Sequence, residues 1–202
     1  MQAEQQFWGW FVESKSIYEN ILENINKTEQ AEIDNAMNSL ENELHKYEQN
    51  LYFRMGGSNP YELIITAEGD KRYFSAVTRL VDASPKIDNW VIVPFIQPTN
   101  MFEFNYKEGD YELSDKDIFF SYSENPSGIG GYYFEVMFYV EDSKFIGDNG
   151  FKSSIIRISE NALGEYKFAS SVGFIDVVPK TEVYQKHESG LLPIYKLAEL
   201  IS

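Results

Sequence analysis

The side chains in this chain best suited to chemistry are carboxylates. Glu135 and Asp176 each interrupt an apolar, strand-like run, over 132–140 and 171–178. If those strands are neighbours, the two carboxylates share a face. Paired carboxylates in a cleft split their pKa values and support hydrolytic acid–base work. Strand alternation equally allows both to point to solvent. Glu62, between Tyr61 and Leu63, is placed in the same way. Glu165 stands in Ala162-Leu163-Gly164-Glu165-Tyr166, where a helix gives way to the next strand. Glu135, Glu165 and Asp176 are therefore the candidate catalytic residues of an enzyme reading.

Other chemistries lack their residues. Cysteine is absent, which removes disulfides, thiolate nucleophiles and thiolate-bound metal. The histidines are His45 and His187, and neither has a metal-ligand partner at helical or hairpin spacing. Surface placement is expected for both. There is no P-loop, no G-x-G-x-x-G, no G-x-S-x-G and no H-E-x-x-H. Gly56-Gly57 and Gly130-Gly131 lie in turn clusters, where left-handed backbone geometry explains glycine. No cofactor and no metal are expected.

Charge points another way. The formal net charge is −15. An acidic surface repels nucleic-acid phosphates and anionic lipid, and it attracts basic proteins. The first 50 residues hold ten acidic residues against Lys15, Lys27 and Lys46, about half of the net charge. Glu32, Asp34 and Glu41 are the candidate partner-binding residues. No Lys or Arg precedes the short apolar stretch near the N-terminus. A secretory leader is not expected on that pattern, and a cytoplasmic location is.

The elements that must position these residues follow from periodicity. Phe7, Phe11, Tyr18, Leu22 and Ile25 form a helical stripe, and Ile33, Met37, Leu40, Leu44, Tyr47 and Leu51 form a second. Thr28 is the expected N-cap of the second helix, with Glu29 and Glu32 in its first turn. Phe7-Trp8-Gly9-Trp10-Phe11 sets four aromatics in five residues. One narrow helical stripe cannot bury all four, so one or two are expected at a sheet or in an exposed patch.

Strand-like runs follow at 51–55, 61–67 and 90–95, with a helix over 70–83 ended by Ser84-Pro85. Pro94 argues that the third run is an edge strand or carries a bulge. The order repeats at 117–122, 132–140 and 171–178, with a helix over 149–162 that Gly164 ends. Phe134, Val136, Phe138 and Val140 share one face of their strand. Pro193 suits the first turn of a closing helix.

The expected fold is α+β within a single domain, 1–202. It has an N-terminal helical hairpin (1–50), two strand–strand–helix–strand units (51–96 and 117–178) and a closing helix (191–201). The units form a largely antiparallel sheet, ferredoxin-like in part, with helices packed on one face.

Three stretches carry a family likeness. They are the run from Tyr61 through Glu62-Leu63-Ile64-Ile65-Thr66-Ala67-Glu68 to Gly69, the helix end Leu80-Val81-Asp82-Ala83-Ser84-Pro85, and the strand Asn89-Trp90-Val91-Ile92-Val93-Pro94-Phe95. With Trp8-x-Trp10-Phe11 and Leu163-Gly164-Glu165, this order resembles a group of uncharacterised bacterial cytoplasmic proteins. Ser84 stands where that group more often has Ala. The resemblance implies a bacterial cytoplasmic origin and carries over no catalytic residue.

The function expected from these features is a non-enzymatic binding or regulatory module that engages a basic protein, as an immunity or antitoxin-like factor does. The alternative is a carboxylate-based hydrolase or small-molecule-binding enzyme.

Overall fold

The computed structural model describes residues 2–99, 105–108, 111–114, 116–126, 132–140, 149–180 and 190–200. Where the sequence pointed to one domain, the chain divides into two compact units, Met1–Ile96 and Gln97–Ser202. The fold is α+β.

The first unit opens with helices α1 (Ala3–Glu23) and α2 (Gln30–Tyr47), the expected helical pair. Phe7, Trp8, Phe11, Tyr18 and Ile21 are the buried face of α1, at steps of one, three and seven residues that return to one side of the helix. Ile25 belongs to no such face: α1 has ended at Glu23, and Ile25 is exposed. The four aromatics of the first turns divide as their geometry requires, with Phe7, Trp8 and Phe11 buried and Trp10 half-buried. Ala36, Leu40 and Leu44 are the buried face of α2. Tyr18 donates its hydroxyl to the Ala36 carbonyl at 3.3 Å, tying the two helices together. Thr28 does not cap α2. Its hydroxyl turns back to the Asn24 carbonyl at 3.0 Å and closes the link, and Glu29 takes the capping position without a side-chain bond.

Strands β1 (Tyr52–Gly57), β2 (Tyr61–Thr66) and β3 (Trp90–Pro94) form a sheet in that order, with α3 (Phe74–Asp82) connecting β2 to β3. β1 and β2 are antiparallel, and β2 and β3 are parallel. Tyr61, Leu63 and Ile65 are buried while Glu62 is exposed, so Glu62 has the solvent place that alternation allows. Pro94 lies on an edge strand, where its missing N–H costs no ladder bond. Gly57 is at φ +77°, and a Cβ there would stand 2.6 Å from the Pro60 carbonyl oxygen, so the turn requires glycine.

The second unit repeats this order. A short hairpin, β4 (Asn105–Glu108) and β5 (Tyr111–Ser114), precedes it. Then come β6 (Ile118–Pro126), β7 (Tyr132–Val140), α4 (Asn149–Leu163), α5 (Glu165–Ser171) and β8 (Val172–Pro179). β6 and β7 are antiparallel, and β7 and β8 are parallel. In both units the strands joined through helix pair directly, which differs from the split arrangement of a ferredoxin-like sheet. Val136, Phe138 and Val140 meet Phe151, Ile155 and Ile158 of α4 in one core, with Phe134 packed at its margin.

Gly164, at φ 76°, ends α4 as expected, and α5 then begins at once. The closing segment differs from a helix over 191–201. Leu192–Pro193 is a short strand, β9, paired with β6, and Pro193 precedes a 3-10 turn (Ile194–Lys196) and a helical turn (Leu197–Leu200). Pro193 has the extended ψ of 149°, so it ends a strand and caps the turn instead of sitting inside a helix. No helix among the described residues is long and apolar enough to cross a membrane.

Candidate functional site

The catalytic candidates do not converge. The β7–β8 register sets Asp176 opposite Met137, two residues from Glu135, so both carboxylates lie on the outer face of the sheet as diagonal neighbours. The shared face is real, but the chemistry is not assembled there. Glu135 is exposed. Asp176 accepts from Lys152 Nζ at 2.9 Å and from the Val177 amide at 3.0 Å. The Lys152 bond, then the Val177 amide, hold its carboxyl below the usual range, so it stays ionised and ion-paired at neutral pH. Glu165 is fully buried at the start of α5, the helix whose Phe168 packs against the inner-face core. The sheet therefore separates it from Glu135.

His45 is half-buried. Its Nε2 lies 3.2 Å from the Leu51 carbonyl, and its ring stands edge-on to Tyr52, so it fastens the end of α2 to the start of β1. His187 and Gly130-Gly131 lie outside the described residues. Among the described residues, no three His, Asp or Glu side chains gather in a way that could hold a metal ion.

What the structure does build is a groove along the seam of α1 and α2, with a volume of about 630 Å³. α1 lends Trp10, Ser14 and Ile17, with buried Tyr18 beneath. α2 lends Glu29 at its cap position and Glu32, Asn35, Ala36 and Ser39 along one face. The cause is local. Ser14, Ala36 and Ser39 are too small to fill the space between two helices, so Trp10 and Ile17 are left as walls. Ile17 is 52% exposed and stands beside Trp10 as apolar surface on the groove wall. No Lys or Arg is among the described residues that line the groove, so Glu29 and Glu32 give it an acidic rim.

Of the three expected partner-binding residues, the structure brings only Glu32 to this groove. Asp34 and Glu41 follow it by two and nine residues, turning roughly 200° and 180° around the helix. Both face away, with Asp34 accepting from Gln30 Nε2 at 2.8 Å. Glu29, Trp10 and Ile17 line this candidate groove and were not among the expected partner-binding residues. Their signal is a run of small residues at helical spacing beside a large one left off the apolar stripe.

In comparisons with known proteins, no protein family, no curated protein and no solved structure gives a match to this chain.

Proposed function

We propose that this protein is a non-enzymatic binding module that takes a basic segment of a partner protein into the α1–α2 groove. One observation carries the reading: an apolar floor with an exposed Ile17 lies beneath two glutamates, and no Lys or Arg is among the described residues that line it. A cationic, partly apolar segment would cover the floor and neutralise the rim. Electrostatic complementarity of this kind sets partner choice and association rate. An immunity or antitoxin-like factor acting in the cytoplasm is the concrete form of this role. The hydrolase alternative gains no support from carboxylates that are exposed, ion-paired and buried apart.

The test is a pull-down from the native host with the wild type and a Glu29→Lys/Glu32→Lys variant in parallel. A captured partner is then purified for association kinetics. A basic partner held by the wild type and lost by the variant is expected, with an association rate that falls as salt rises. Equal capture by both proteins would refute the groove as the docking site.

A further inference from the structure

Resting on that reading, we infer that the occupant of the α1–α2 groove is a basic amphipathic α-helix. The walls of the groove are themselves helices, whose peptide groups are satisfied internally. An extended segment laid between them would find no strand edge to pair with, and its N–H and C=O groups would depend on water and on side chains such as Ser14, Asn35 and Ser39. A helix brings its hydrogen bonds with it and presents only side chains.

The spacing fits the same occupant. Trp10 and Ile17 are seven positions apart on α1, about two helical turns or roughly 10 Å along the axis. A third helix lying in the seam reaches that span with apolar anchors at i, i+3, i+4 and i+7. Ser14 and Ser39 make the depression between the walls that such anchors would enter.

The charge is uneven along the groove, and this orients the occupant. Glu29 and Glu32 lie one turn apart at the start of α2, beside the end of the groove that holds Ile17. The other end is formed by Trp10 and Ser39 and is uncharged. The partner helix therefore carries Lys or Arg one turn apart at one end of its apolar stripe, and a large apolar residue over Trp10 at the other.

Two labelled synthetic peptides of identical Leu, Lys and Ala composition test this. One carries Leu at i, i+3, i+4 and i+7 with flanking Lys, and the other is scrambled to break the stripe. Anisotropy reads affinity, and far-ultraviolet circular dichroism reads helix gained on binding. The patterned peptide should bind about tenfold or more tightly than the scrambled one and gain helix. Glu29→Gln/Glu32→Gln should weaken it about tenfold at low salt, and Ser39→Trp, which fills the groove from an exposed position, should do likewise. Equal affinity of the two peptides, both weakened by Glu29→Gln/Glu32→Gln, overturns the helical occupant and leaves the acidic groove standing. No binding of either peptide overturns both. Tight binding that ignores Glu29→Gln/Glu32→Gln and Ser39→Trp places the contact elsewhere and also overturns it.

Discussion

The indole N–H of Trp90 donates to the Glu19 carboxylate at 2.7 Å, joining α1 to the edge strand β3 across 71 residues of sequence. Lys15 Nζ binds the same oxygen at 2.8 Å. Phe11 packs edge-on against the Trp90 ring, with centroids 5.1 Å apart. The helix that forms one wall of the groove is thus fixed to the sheet by a carboxylate that accepts both bonds more strongly when ionised.

Acid should loosen that attachment. Burial pushes the Glu19 carboxyl up, but the bonds from Lys15 and Trp90 outweigh it, and the group titrates below its ordinary range. A depressed folded-state pKa adds stability that is present above the unfolded value. That stability is lost as pH falls through the folded value. Trp90→Phe should therefore cost about 1–3 kcal/mol at neutral pH, with a smaller difference from wild type at about pH 3. Urea denaturation at both pH values is the measurement, and an unchanged difference would sink the assignment.

Alkali should act on the neighbouring contact. Tyr61 donates its hydroxyl to Glu23 Oε1 at 2.5 Å. That bond first, then burial and the charges of Glu23 and Glu19, push the Tyr61 phenol up to about 12. The raised value means a contribution present below the ordinary tyrosine pKa, lost as pH rises through about 12. Glu23→Gln should bring this phenol back toward its ordinary value. Ultraviolet titration of wild type, Glu23→Gln and Tyr61→Phe would show it as the difference between curves.

In the second unit the sensitive place is Gly173. It sits at the irregularity in the β7–β8 register, and a Cβ built there would be driven into the Tyr133 ring. Gly173→Ala should destabilise by about 1–3 kcal/mol. The cost should shrink in a Tyr133→Ala background, because the two residues share one volume. Additive losses in the double variant would mean that the ring does not occupy the space over Gly173.

The helical stripes were the most legible part of the chain because burial and 3.6-residue period coincide in them. Leu44 is fully buried within the expected α2 stripe. Leu44→Ala should cost about 2–5 kcal/mol, against about 0.5 kcal/mol or less for Glu41→Ala. Denaturation midpoints for the two variants check the face. Short elements were not legible. α5, read as part of a connection, spans Glu-Tyr-Lys-Phe-Ala-Ser-Ser, too short for a periodic signal and held by Gly164 and by packing of Phe168. The β4–β5 hairpin is polar in sequence, and its pairing is a tertiary fact. The groove was half legible. Acidity singled out α2, but a charge count has no direction, and only the helical turn separates Glu32 from Asp34 and Glu41.

That separation gives the sharpest test of the site. Asp34 and Glu41 stand on the far side of a helix about 10 Å in diameter from the groove, and the Debye length at physiological salt is about 8 Å. Charges on that side therefore add little to the potential over Trp10 and Ile17, although they add equally to the net charge. Glu29→Lys/Glu32→Lys and Asp34→Lys/Glu41→Lys change the formal charge by the same amount. The first pair should lower the association rate with a basic partner by about tenfold or more at physiological salt. The second should lower it by about twofold or less, since distant exposed charges are screened. Glu29, Glu32 and Asp34 are exposed and Glu41 is half-buried, so both variants should fold, which circular dichroism would establish first. Stopped-flow association across a salt series distinguishes the outcomes. Equal slowing by the two variants would assign the steering to net charge alone and remove the groove from the account.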